Sequence, residues 1–237
     1  MSVPAPRADL RAHGPAGILR PGVRTYKPRR TRMTDRQARG LAQQADLILP
    51  VDAPPIDMAK TWGPGVPVVL EIGFGDGRAT AEMAAADPGT GVLAVDVHTP
   101  GVGELLARVG EAGLTNVRVM EADALGVLDR RIPARALHAV RAYFPDPWPK
   151  ARHHKRRLVQ PEVLALIRSR LTPGGTWHLA TDWDEYAAWM LECFGSNPDW
   201  RGGPIPRPAW RPETRYERRA RRDGRRITDL VFRPAEH

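Results

Sequence analysis

Val66-Pro67-Val68-Val69-Leu70-Glu71-Ile72-Gly73-Phe74-Gly75-Asp76-Gly77 is a nearly all-apolar run that passes straight into a glycine loop. A strand without polar alternation is one buried on both faces, as in a parallel sheet covered by helices on each side. Arg78 to Ala86 then carries a helical pattern. Strand, glycine loop and helix N-terminus in this order make a nucleotide-type site. The glycines let the backbone approach a ligand, and the loop N–H groups are expected to bond to it. A glycine pattern alone is weak evidence; its place directly after a buried strand gives it weight.

Two further strands follow. Gly91 to Val95 ends at Asp96, about 20 residues beyond the last loop glycine, where a dinucleotide-type fold places the acid that binds ribose hydroxyls. Asn116 to Met120 ends in Glu121-Ala122-Asp123. Glu71, Asp96 and Asp123 thus sit at three successive strand ends. Each alone could be a helix cap or an exposed strand end. Together they fall on the carboxyl edge of one sheet, where ligands of such folds bind. Glu71 before the glycines and Asp76 among them disfavour a pyrophosphate. They suit S-adenosylmethionine, whose amine, sulfonium, ribose hydroxyls and adenine amino group all pair with acids. The spacing is Gly-x-Gly-x-Gly, unlike the Gly-x-Gly-x-x-Gly of NAD folds.

The fourth strand, Leu137 to Phe144, runs into Pro145-Asp146-Pro147-Trp148-Pro149-Lys150 and a basic segment, Arg152 to Arg157. Proline fixes its own φ and pushes the preceding residue toward extended geometry, so Asp146 sits on a stiff lip. Such an acid could grip a flat, hydrogen-bonding ring, with neighbouring cations on its phosphates. The alternative is a proline-rich turn whose aspartate bonds nearby N–H groups. Trp148 is either a stacking wall or packing for the strand end. A helix from Gln160 or Pro161 to Leu171 precedes a fifth strand, Thr176 to Ala180, and Thr181-Asp182-Trp183. Asp182 either caps the next helix or joins Asp146 at the functional edge. His178 reads as a core residue, and Cys193 as a buried core thiol. Asp223-Gly224 is a hairpin signal, so two terminal strands are expected to pair antiparallel across it, with Arg215 to Arg226 as a basic face.

Charge narrows the partners. Lys+Arg 36 against Asp+Glu 27 leaves +9 and a pI near 10.5, which favours a polyanion. No apolar run approaches the roughly 20 residues needed to span a bilayer, and residues 1–20 lack the apolar core of a signal peptide. One cysteine excludes an internal disulfide, and the histidines lack metal-site spacing. These features predict a cytoplasmic protein without membrane or metal. A monomer is the expected state, with a homodimer as the alternative. Residues 1–23 read as a disordered tail. Residues 24–55 read as a basic arm with a helix capped by Thr34, and 56–237 as the catalytic domain.

The segments Leu70 to Gly77, Val95-Asp96-Val97-His98-Thr99-Pro100-Gly101-Val102-Gly103 and Phe144 to Lys150 resemble those of the bacterial tRNA (guanine-N7)-methyltransferases. So do Arg152 to Arg157, Thr181-Asp182-Trp183, Arg211 to Arg219 and the arm Arg24 to Thr34. The resemblance covers about residues 24–233. It implies a Rossmann-like class I methyltransferase fold: a mostly parallel seven-stranded sheet, helices on both faces and an antiparallel C-terminal hairpin. It implies methylation of guanosine N7 in the tRNA variable loop. By motif, Glu71, Gly73, Gly75, Gly77, Asp96, Asp123 and Asp146 would bind the cofactor, and Asp146 would lie at the transfer centre. Lys150, Asp182, Thr214, Arg215, Tyr216 and Glu217 would bind the RNA. Asp96 stands where the family often has glutamate, and Arg215 where it often has lysine. A cap-type or amino-directed methyltransferase, an NAD oxidoreductase and a catalytically dead RNA-binding protein are the competing readings.

Overall fold

The computed structural model describes residues 24–26 and 32–236; the expected tail, residues 1–23, lies outside them. The strands are β1 (Val68–Ile72), β2 (Gly91–Asp96), β3 (Val117–Glu121), β4 (Leu137–Tyr143), β5 (Leu171–Thr181), β6 (Trp200–Ile205) and β7 (Thr228–Pro234). They form one sheet in the order β3-β2-β1-β4-β5-β7-β6. The first five run parallel, and β7 lies antiparallel between β5 and β6. The helices are α1 (Asp35–Gln43), α2 (Met58–Trp62), α3 (Arg78–Ala86), α4 (Thr99–Glu111), α5 (Ala124–Arg130), α6 (Pro161–Arg170), α7 (Asp184–Gly195) and α8 (Arg215–Arg222).

The sheet separates two apolar cores. In β2, Val92 and Ala94 pack with Leu105 and Leu106 of α4; Leu93 and Val95 pack into the cluster that holds Leu128, Leu164 and Met190. This is the period-two alternation of a strand with helices on both faces. Register also builds a polar row: Glu71 lies beside Arg141, and Arg141 beside His178.

α1 begins with a capping box, in which the Thr34 hydroxyl accepts from Gln37 N–H and the Gln37 side chain accepts from Thr34 N–H. The helix lies on α4 across two glycines. A Cβ on Gly103 would stand 2.5 Å from the Gln37 carbonyl oxygen, and one on Gly40 would strike the Gly103 carbonyl. Arg36 pairs with Glu104 and Glu111, so this cation of the arm is spent inside the protein.

The expected hairpin across Asp223-Gly224 is replaced by α8. Thr214 caps that helix by accepting from Glu217 N–H, and Glu217 and Ala220 form its buried stripe. Arginine is a good helix former. Asp223-Gly224 ends the helix, with Gly224 at φ +68°. An antiparallel pair exists, but it is β6 with β7, joined by a long connection that includes α8. Cys193 on α7 is half-buried against the core instead of fully enclosed, and burial pushes its thiol up to about 11.

Candidate active site at the carboxyl edge of the sheet

A cavity of about 230 Å³ opens at the carboxyl ends of β1, β2 and β4. Gly73 and Gly75 form one wall, Asp96 to His98 with Gly101 a second, and Tyr143 to Asp146 a third; Thr25, Tyr26 and Tyr216 also line it. A smaller hollow adjoins it, lined by Glu71, Asp76, Tyr143, Thr214 and Arg218 among others.

The glycine loop is left-handed at Gly73 (φ +74°), Gly75 (+66°) and Gly77 (+66°), a region that side chains disfavour. Its three glycine N–H groups are bonded within the protein. Gly73 N–H donates to Val95 O (2.8 Å), Gly75 N–H to Asp96 Oδ2 (3.1 Å) and Gly77 N–H to Phe74 O (3.0 Å). These three donors, expected to bond a ligand, are therefore committed internally. Gly101 explains part of the second motif: a Cβ there would collide with the Gly75 carbonyl oxygen, so α4 can seat against the loop only with glycine at this position.

The three acids have distinct surroundings. Glu71 is buried with the Thr80 hydroxyl beside it, which favours the ionised carboxylate, and its Oε2 has no further hydrogen-bond partner among the described residues. Burial pushes its carboxyl up to about 7, while Arg141 opposes the rise. Asp96 lines the cavity and accepts from Gly75 and His98 N–H; burial raises its pKa against those bonds. Asp123 caps α5 by accepting from Leu125 N–H at 2.9 Å, and burial raises its pKa too. It stands just behind the lining residues Ala122 and Ala124.

Asp146 lines the cavity on a lip bounded by strain. Phe144 (φ +56°) and Trp148 (φ +46°) are two of the three non-glycine residues with positive φ among the described residues. Strain of this kind persists only where the surroundings over-determine it. Here they do. Arg157 has no exposed surface, donates to Pro147 O at 3.0 Å and pairs with Glu185. Arg156 lies 3.6 Å from the Trp148 ring centre and donates to the carbonyls of Arg24 and Tyr26. Trp148 Nε1 donates to Thr25 O. The two arginines expected on RNA phosphates instead hold the lip and the arm. Trp148 is buried under Arg156, not an open wall.

The C-terminal motif is organised by Arg211. This fully buried cation donates from Nε and Nη2 to Asp229 (2.8 and 2.9 Å) and from Nη1 to Glu217 (2.7 Å). His178 Nε2 lies 2.8 Å from Asp229, and the Tyr143 hydroxyl 3.1 Å from His178 Nδ1. Asp229 already serves Arg211 as an acceptor, so Nε2 carries the proton. His178 is a satisfied core residue, as expected. Glu217, predicted to bind RNA, has no exposed surface and pairs with Arg207, Arg211 and Arg221. Thr214 lines the smaller hollow; Arg215 and Tyr216 line both hollows. Asp182 lies outside both and pairs with Arg225; the cap of α7 is Trp183. Lys150 is exposed at the start of a short 3-10 helix.

Sequence reasoning missed Tyr143, Phe144, Thr25 and Tyr26 as cavity residues. Phe144 carried a signal, as the last apolar residue before Pro145, and Tyr26 another, as the one ring in a run of cations. Among the described residues no three His, Cys, Asp or Glu side chains are arranged to hold a metal ion, and no helix is long and apolar enough to cross a membrane.

The profile of the family described as "Putative methyltransferase" matches residues 66–230. A tRNA (guanine-N(7)-)-methyltransferase of Streptomyces avermitilis is 48% identical over 235 residues, covering 96% of this chain and 79% of that protein. One of Pseudomonas putida is 46% identical over 226 residues, covering 92% and 94%. Among solved structures, the 16S rRNA methyltransferase KamB has a TM-score of 0.52 at 17% identity, over 86% of this chain and 94% of its own. That likeness concerns the fold alone. With its sheet order, its glycine loop and its acid-bearing strand ends, this chain belongs to the tRNA (guanine-N7)-methyltransferase family.

Proposed function

We propose that the chain transfers a methyl group from S-adenosylmethionine to N7 of a guanosine in the tRNA variable loop. One observation carries this reading: a carboxylate, Asp146, on a rigid lip that faces a cavity walled by acids and by a loop whose glycine N–H groups are bonded within the protein. Such a cavity suits a cationic, phosphate-free cofactor. The unpaired Oε2 of buried Glu71 fits an amine, Asp96 ribose hydroxyls and Asp123 an adenine amino group. When bound, S-adenosylmethionine supplies an electrophilic methyl on a sulfonium.

Guanine N7 has an in-plane lone pair and no proton, so the protein needs no general base. Its task is alignment in a water-poor pocket. The base becomes cationic as it is methylated, and Asp146 beside it stabilises that charge. Lys150, Asp182, Thr214, Arg215 and Tyr216 are the residues assigned to RNA; Glu217 serves them by fixing α8. Residues 24–55 act as an arm of the domain at 56–237. We place the enzyme in the cytoplasm, as a monomer or homodimer.

The test is methyl transfer from labelled S-adenosylmethionine to bulk tRNA, with nucleoside digestion and mass analysis. Label in 7-methylguanosine is expected. Label in another nucleoside would overturn the reading, and no label with cofactor still bound would favour an RNA-binding protein.

A further inference from the structure

A base taken out of its stack must be restacked by the pocket that receives it. The indole at the lip cannot do this, because Arg156 already covers Trp148. Among the other rings that line the cavity, two lie opposite each other from different elements. Phe144 and Tyr216 both line it, with centroids 6.3 Å apart and planes 23° from parallel. Phe144 comes from the end of β4, two residues before Asp146, and is held in its strained left-handed conformation. Tyr216 comes from α8 and packs over the glycine loop, its Cε2 3.8 Å from where a Gly75 Cβ would stand.

One buried cation links the two sides of this pair. Arg211 lies 6.0 Å from the Phe144 ring centre and bonds Glu217, the neighbour of Tyr216 on α8. Through Asp229 it is also tied to β7. The same guanidinium thus connects the strand that carries Phe144 with the helix that carries Tyr216. A planar base inserted between two rings needs about twice the 3.4 Å stacking rise, roughly 6.8 Å. The centroid distance of 6.3 Å, an upper bound on the gap between the planes, is at least about half an ångström short of that, so the rings must part to admit a base.

We propose that Phe144 and Tyr216 form a base clamp, taking the target guanine between their rings with Asp146 at its edge. This rests on the reading of the chain as a guanine-N7 methyltransferase. It gives Tyr216 a defined role and adds Phe144, which the sequence motif did not assign.

The test uses the full chain and compares Phe144→Leu and Tyr216→Leu with the aromatic exchanges Phe144→Tyr and Tyr216→Phe. Single-turnover methyl transfer to tRNA is measured at saturating enzyme, alongside calorimetric cofactor Kd and filter-binding tRNA Kd. Stacking on an aromatic ring governs base placement, so each leucine variant should transfer about 10- to 100-fold more slowly. Phosphate contacts dominate RNA affinity, so tRNA Kd should stay within about threefold, as should cofactor Kd. The aromatic exchanges should keep the rate within about threefold. Tyr216 is half-exposed, so its variant remains informative should Phe144→Leu unfold. Leucine variants at the wild-type rate would overturn the clamp. So would a rate loss matched by an equal loss of cofactor affinity, since the rings would then only shape the cofactor cavity. A wild type that makes no 7-methylguanosine would remove the functional reading itself, and the clamp with it.

Discussion

Arg157 reaches from beneath the lip to the carbonyl oxygen of Pro147 at 3.0 Å, although its own side chain has no contact with solvent. A cation in a basic run is thereby a beam under the lip that carries Asp146. Replacing it by methionine strips Pro147 of its donor, while half-exposed Glu185 can rehydrate. Arg157→Met should destabilise the protein by about 2–4 kcal/mol and lower kcat at least about tenfold. Denaturant unfolding and methyl transfer check this; a stable, fully active variant would contradict it.

Asp146→Asn keeps the shape of the lip and removes its charge. Turnover should fall by about 100-fold or more, the scale of losing a preorganised electrostatic partner, with cofactor Kd changed less than about fivefold. Steady-state kinetics beside calorimetry separate the two. Unchanged turnover would sink the assignment.

The buried Glu71 gives the empty protein a pH signature. Its carboxyl moves from 4.5 to about 7 on folding. Between those values the folded state holds a proton that the unfolded chain has released, so stability from this group falls as pH rises. The loss is about 3 kcal/mol above pH 7. Glu71→Gln should flatten that slope and be the more stable protein at pH 8. Cofactor affinity should run the other way, tightening as pH passes through about 7 in the wild type and remaining weak and flat in the variant. Thermal melts and calorimetry from pH 5.5 to 8.5 read both.

Gly103→Ala would place a methyl 2.5 Å from the Gln37 carbonyl and push α1 off α4. A cost of about 1–3 kcal/mol is expected, with faster proteolysis before Thr34. Gly195→Ala, where a Cβ meets nothing within 4 Å, is the control and should melt like the wild type.

The buried strands were legible because Val68 to Leu70 and Val92 to Val95 have no polar partner faces, and the acids at their ends follow from strand length. Asp146 was legible because two prolines forbid a helix around it. What failed was the reading of charge. Arg36, Arg156, Arg157 and Arg211 all lie in basic runs, yet each is spent on a carbonyl, a ring or a carboxylate from a distant element. Local sequence does not say which cation of a run turns inward. The dipeptide Asp223-Gly224 failed for a related reason. A left-handed glycine closes a hairpin and ends a helix equally well, and only Glu217 and Ala220, three residues apart on one buried face, decide between them.

The position of β7 bears on how the chain is made. Among the described residues β6 has β7 as its one strand partner, and β7 is the later of the two to leave the ribosome. Until it arrives β6 has no strand partner, Arg211 and His178 lack Asp229, and α8 is without the strand that Arg211 ties it to. The half of the sheet from β1 to β5 can close during synthesis. The wall that carries Tyr216 must wait for the last strand, so the enzyme acquires its catalytic pocket in a single late event.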